Sequence, residues 1–215
     1  MVKDSREIWK FAFFCTFTNH NFIKKNIEMV AVADTGKDLS KKKPKKISWK
    51  TFQRDYLSRE DQYKYEWVHG FIEKTLRSMD TSQFYFQKTF NRFLYSLGDQ
   101  GEFIAEGDTF FAGAHRRPDM AYYTAAQIEA GKKGEKITPG FVIEIVSNND
   151  QINKVNGKMK DYRAAGVKVI WLIFPKLQEV HVYHGKKGQI CTGDDICSAE
   201  EVVKGFRLKA EDVFA

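Results

Sequence analysis

The chain is expected to fold as an α/β domain on a mixed sheet, and three features predict it. The stretch Phe141–Ser147, FVIEIVS, is apolar on both faces of a strand, as a strand covered on both sides must be. A helical pattern over about residues 151–165 follows it and leads into a second apolar strand, Val169–Phe174. Strand, helix and strand in that order make a crossover between parallel neighbours, so the sheet is expected to be mixed. A chain of 215 residues has room for one domain with a sizeable core.

That domain is placed at residues 48–215, behind a flexible Lys-rich N-terminal extension over 1–47. Residues 1–28 are rich in Phe and Asn, show no sustained period and end just before Met29, which reads as an alternative true start. The segment 34–48, DTGKDLSKKKPKKIS, is a polar linker that serves either as a nucleic-acid-binding arm or as a solvated tail. Residues 1–50 carry 12 Lys/Arg against 5 Asp/Glu, whereas residues 51–215 carry 23 of each. The net charge of +7 therefore belongs to the N-terminal part. Nucleic-acid contact by the domain would need a local basic patch, a homodimer that concentrates charge, or the arm itself. Cys15, Cys191 and Cys197 are odd in number, match no zinc spacing and read as reduced thiols of a cytoplasmic protein. No apolar run approaches the ~18 residues of a membrane span. The apolar segment Phe11–Phe17 is too short and too far from small residues for a cleaved signal peptide to be expected.

In chain order, Ser48 caps a short helix through Tyr56 or Leu57, and residues 65–73 form two strands joined at His69-Gly70. Thr81 or Ser82 caps the longest helix, Gln83–Leu97. Phe86, Phe90, Phe93, Leu94 and Leu97 recur on it at helical spacing, and Gly98 closes it. Strands follow at Glu102–Ala105, Thr109–Ala112 and Asp119–Tyr123, then a short helix at Ala125–Ala130. Beyond the crossover, Glu179–Tyr183 alternates as an edge strand before the turn Gly185–Gly188, and Val203–Phe214 forms a last strand and turn. There is no internal repeat, glycine-rich phosphate loop or HExxH pair.

The chemistry concentrates on three side chains. Glu144 lies mid-strand between Val142 and Val146, so it must pair with a cation or a metal, or be protonated. A salt bridge to Arg116 or Arg117 is one resolution. Asp119 follows Pro118 and is either a turn residue or, if its strand neighbours that of Glu144, half of a carboxylate pair needing a hard cation. On the crossover helix Ile152, Val155, Met159 and Tyr162 share an apolar face. Lys158 lies about 80° from its centre, nearer than Lys154 or Lys160 at about 120°. Lys158 is thus the lysine best placed to reach the sheet, with Tyr162 one turn on. Arg116 and Arg117 contact phosphate or pair with neighbouring carboxylates. His20, His69, His115, His181 and His184 show no shared ligand spacing, and Trp171 reads as core.

The runs Arg117–Tyr122 (RPDMAY), Phe141–Ser147 and Lys158–Val167 (KMKDYRAAGV), followed by Ile170–Ile173 (IWLI), resemble the Uma family of putative restriction endonucleases, a branch of the PD-(D/E)XK nucleases. Tyr65–Gly70 upstream and Gly205–Leu208 and Asp212–Phe214 downstream extend the resemblance over about residues 50–215. It implies a restriction-endonuclease-like mixed central sheet flanked by helices, and a Mg²⁺- or Mn²⁺-dependent hydrolase acting on DNA. It also implies Asp119, Glu144 and the Ile145 backbone carbonyl as metal ligands, with Glu66 a further carboxylate at the site or an ordinary edge-strand residue. Lys158 would be the migrated catalytic lysine, since Val146 stands where the superfamily usually has one, and Tyr162 would support it. The chain departs from the family at Tyr85-Phe86-Gln87, where His is frequent, and at Ser147-Asn148 in place of Ser-Pro. The competing expectation is a non-catalytic module that keeps the nuclease fold and binds nucleic acid or a protein partner.

Overall fold

The computed structural model describes residues 45–215 except 77–81, 112 and 148–151. The N-terminal extension up to residue 44, the Met29 start and the Thr81 cap lie outside the described residues. Ser48 caps α1 (Trp49–Phe52), its Oγ accepting from the Thr51 N–H at 3.1 Å, and a π-helical turn, Gln53–Leu57, continues it. The elements that follow are β1 (Tyr63–Val68), β2 (Phe71–Leu76), α2 (Ser82–Ser96), β3 (Glu102–Ala105), β4 (Thr109–Phe111), β5 (Ala114–Arg116) and β6 (Met120–Tyr123). After these come α3 (Ala125–Lys132), β7 (Phe141–Ile145), α4 (Ile152–Ala164), β8 (Val169–Phe174), β9 (Glu179–His184), β10 (Lys187–Cys191), β11 (Ile196–Ser198), β12 (Arg207–Lys209) and α5 (Ala210–Val213).

A six-stranded sheet runs β10-β9-β8-β7-β6-β3, parallel only between β7 and β8. This is the mixed sheet expected, with α4 as the crossover. Strand alternation sorts its side chains onto two faces. Phe141 and Ile143 of β7 join Trp171 and Ile173 of β8, Phe103 of β3 and Phe86, Phe90 and Leu94 of α2 in one core cluster. Val142, Ile170 and Leu172 point the other way, against Val155, Met159 and Tyr162 of α4. Ile152, expected on the same apolar face of α4, is 64% exposed.

A second, antiparallel sheet of order β2-β1-β5-β4 was not anticipated. Its β5 is three residues, Ala-His-Arg, too short to show an alternation. With β5 present, β1 is an interior strand, so Glu66 is not an edge-strand residue. The β1–β2 hairpin turns at His69 and Gly70, both at positive φ (52° and 95°), a geometry glycine adopts without strain and the expected His-Gly pair supplies. Gly98, at φ 75°, ends α2 as anticipated. Two further expectations need correction. β9 lies inside the sheet, and the edge is β10, reached through a turn of two residues, Gly185 and Lys186, with Gly188 already paired to Tyr183. The C-terminal segment pairs β12 with β11 and ends in α5, with Val203, Phe206, Leu208 and Val213 closing the α2-side core.

Candidate functional site

Because Met120 of β6 is paired with Ile143 of β7, the residue before Met120 stands level with the end of β7. That residue is Asp119, whose Oδ2 accepts the Ile145 N–H at 2.8 Å. The two candidate carboxylates therefore come from neighbouring strands. Glu144 is 5% exposed and points to the α4 side of the sheet, where Lys158 Nζ meets its Oε2 at 2.5 Å. The Tyr162 hydroxyl, one helical turn on, donates to Oε1 of the same carboxylate. Glu144 is thus held by a lysine and a tyrosine of α4, and the alternative pairing with Arg116 or Arg117 is not the one formed.

Lys64, on β1 of the other sheet, completes the group. It is 8% exposed, and its ammonium donates to the Arg117 carbonyl at 3.1 Å and to Asp119 Oδ1 at 3.3 Å, with Glu106 at 3.8 Å. Burial pushes the Glu144 carboxyl above its ordinary range and the charge of Asp119 adds to that, against the pull of Lys158 and Lys64. Burial acts on Asp119 in the same sense, but Lys64, Lys158 and the Ile145 N–H outweigh it and hold Asp119 below 3.8. Burial would lower Lys158, yet Glu144, Glu66 and Asp119 raise it above its ordinary value. Lys158 is accordingly an ammonium in this arrangement, fitted to orient a water or offset phosphate charge rather than to take a proton.

Asp119 and Glu144 offer hard oxygen donors that repel one another, and the Ile145 carbonyl follows directly in the strand. That set suits Mg²⁺ or Mn²⁺, which bind through one or two carboxylates and keep several waters. Among the described residues no three His, Cys, Asp or Glu side chains gather as a metal-ligand group. The geometry gives Glu66 another occupation. Its Oε2 accepts from Arg116 at 3.0 Å and its Oε1 from the Arg117 N–H at 2.7 Å.

Arg116 is 2% exposed and bridges Glu66, Glu73 at 2.5 Å, and Asp161 of α4 at 2.7 Å. The expected phosphate contact by Arg116 is therefore corrected: the guanidinium is interior and saturated with carboxylates. Arg117 also takes the ion-pairing alternative, to Asp108 at 2.6 Å, and donates to the Leu57 carbonyl at 3.0 Å.

A family model described as Uma2, "Putative restriction endonuclease", matches residues 49–211. The chain belongs to this family. Among curated proteins none matches. A crystal structure described as a putative nuclease belonging to DUF820, from Anabaena variabilis ATCC 29413, is similar in fold at a TM-score of 0.65 and 20% identity, over 78% of this chain and 97% of that one.

Within this Uma2 chain, Lys64, Glu73, Glu106, Asp108 and Asp161 are members of the ionic group that the sequence did not single out. Lys64 and Glu66 lie two apart on β1, facing away from Tyr65 and Trp67, and that alternation of charge with aromatic was a readable signal. Asp161 had a weaker one, three residues after Lys158 on the same helix.

Proposed function

We propose that the protein is a divalent-metal-dependent endonuclease that hydrolyses DNA phosphodiester bonds, with Asp119, Glu144 and the Ile145 carbonyl holding Mg²⁺ or Mn²⁺. The observation that carries this reading is Glu144, a carboxylate inside an otherwise apolar strand, one strand from Asp119 and gripped by Lys158 at 2.5 Å. A divalent ion bound there supplies Lewis acidity toward phosphate and water. The Ile145 N–H orients Asp119, and Tyr162 orients Glu144. Lys158 offsets the charge that builds on phosphate oxygens and positions the attacking water. With the domain near electrical neutrality, the Lys-rich arm supplies phosphate contacts; removing residues 1–46 then flattens the dependence of DNA affinity on salt. Among the described residues no helix is long and apolar enough to cross a membrane; a cytoplasmic setting is part of the proposal.

The deciding experiment is cleavage of supercoiled plasmid with Mg²⁺ or Mn²⁺. The parent chain is expected to nick or linearise it, and Asp119→Ala to lose at least about a hundredfold of that rate. Equal rates for the two chains would refute the assignment. One observation favours the second reading, a nuclease-fold binding module: Lys158 and Lys64 each already pair with one of the carboxylates. On that reading nucleic acid binds without cleavage, and Mn²⁺ leaves the melting temperature unchanged.

A further inference from the structure

Asp119 is fixed at both oxygens, and the two restraints differ in kind. Oδ2 receives a backbone N–H of the adjacent strand, part of the sheet itself. Oδ1 receives Lys64, a side chain rooted in the other sheet and held in register by β2. Lys64 also has other partners: the Arg117 carbonyl at 3.1 Å and Glu106 at 3.8 Å. An ammonium that left Asp119 would keep these, so its departure strands no buried charge. Lys158 at 2.5 Å from Glu144 has no second carboxylate within ion-pair distance among the described residues.

We infer that Lys64 is a built-in occupant of the Asp119 half of the cation site, a charge that a divalent ion must displace and that sets the metal concentration at which the site fills. Lys64 is a positioning residue in the metal-free protein, aligning Asp119 and tying the two sheets together. Its displacement toward Glu106 and the Arg117 carbonyl accompanies loading. The inference rests on the metal-site reading above and concerns a residue to which that reading gives no role.

The test is Mn²⁺ titration of the full chain, followed by melting temperature and by calorimetry, with wild type, Lys64→Gln, Lys64→Arg and the exposed-site control Lys160→Gln. Lys64→Gln is expected to melt lower without metal and to reach its half-maximal Mn²⁺ response at a concentration on the order of tenfold lower than wild type. Lys64→Arg, which keeps the charge and grips carboxylates at least as well, is expected to respond at or above the wild-type concentration, and Lys160→Gln at the wild-type one. Equal midpoints for wild type and Lys64→Gln overturn the inference while leaving the metal site standing. A response in Lys64→Gln with none in wild type supports it. Absence of any response in both removes the metal site and the inference together. Should Lys64→Gln fail to fold without metal, Lys64→Arg decides, and a midpoint below wild type overturns the inference.

Discussion

The two faces of the six-stranded sheet are built from the same strands and solve opposite problems. On the α2 side, Phe90, Phe103, Phe141, Trp171 and Phe206 pack ring against ring at centroid separations from 5.0 to 6.3 Å. On the α4 side, β7 places Val142 and then Glu144, and around that carboxylate gather Lys158, Tyr162, Lys64 and Asp119, with Arg116, Glu66 and Asp161 beyond. The first face is held by area and shape, which tolerate a change of pH. The second adds to its own apolar cluster a group of charges that stabilise only as a balanced set, because each one left alone in the interior is costly. Stability alone does not call for charges in the interior, which is why the proposed site is placed on the ionic face.

The largest effects should come from breaking each face at its centre. Phe90→Ala removes a fully buried ring and is expected to cost about 3–5 kcal/mol. Arg116→Met should cost about as much, since it leaves Glu66 and Asp161 buried without their cation. Urea unfolding at neutral pH measures both losses. A cost below about 1 kcal/mol for Arg116→Met would mean the ionic face does not depend on its balance.

The next effect separates the faces by pH. Burial would raise Glu66, but Lys158, Arg116, Lys64 and the Arg117 N–H together hold it below its ordinary 4.5. A carboxyl depressed on folding contributes stability above its unfolded value, and that contribution is lost as pH falls through the folded value. Unfolding curves collected downward from pH 6 should therefore show wild type and Phe90→Ala declining in parallel. Arg116→Met should decline somewhat less, having already lost one of the cations that, after Lys158, depress Glu66. Parallel decline of all three would place the acid sensitivity elsewhere.

What the sequence made legible was whatever depends on neighbours along the chain. The alternation in Phe141–Ile145 placed Glu144 on the face opposite Phe141 and Ile143, and the angle of Lys158 on its helix placed it against the sheet. That Asp119 would stand beside Glu144 was conditional on their strands being neighbours, and β6 and β7 are paired. What it hid was pairing across distance: Lys64 meets Asp119 from 55 residues away, and Arg116 meets Asp161 from 45. No local period encodes such a partner. The burial of Arg116 was hidden with it, because an arginine becomes interior only once the carboxylates that neutralise it are known.

A smaller effect tests how tightly Glu144 is held. The Tyr162 hydroxyl is kept protonated, first by burial and then by the charges of Glu144 and Glu66, so it donates throughout the ordinary pH range. Tyr162→Phe deletes that donor and leaves the ring packing against Val155 and Met159 intact. The expected loss is about 1–2 kcal/mol in urea unfolding, with Lys158 still on the other oxygen. A neutral result would mean that Lys158 alone satisfies the carboxylate.

The smallest effect is expected at Ile152, where the apolar stripe of α4 meets solvent. Ile152 belongs by angle to the face of Val155, Met159 and Tyr162, yet as the first residue of the helix it is 64% exposed. A side chain that buries so little area contributes little through the hydrophobic effect. Ile152→Ser should change stability by no more than about 0.5 kcal/mol, while Met159→Ala on the same face should cost about 2–4 kcal/mol. If Ile152→Ser approached the Met159 value, the apolar stripe of α4 would extend to its first turn, and the boundary between packed and ionic regions would have to be redrawn toward the end of β7.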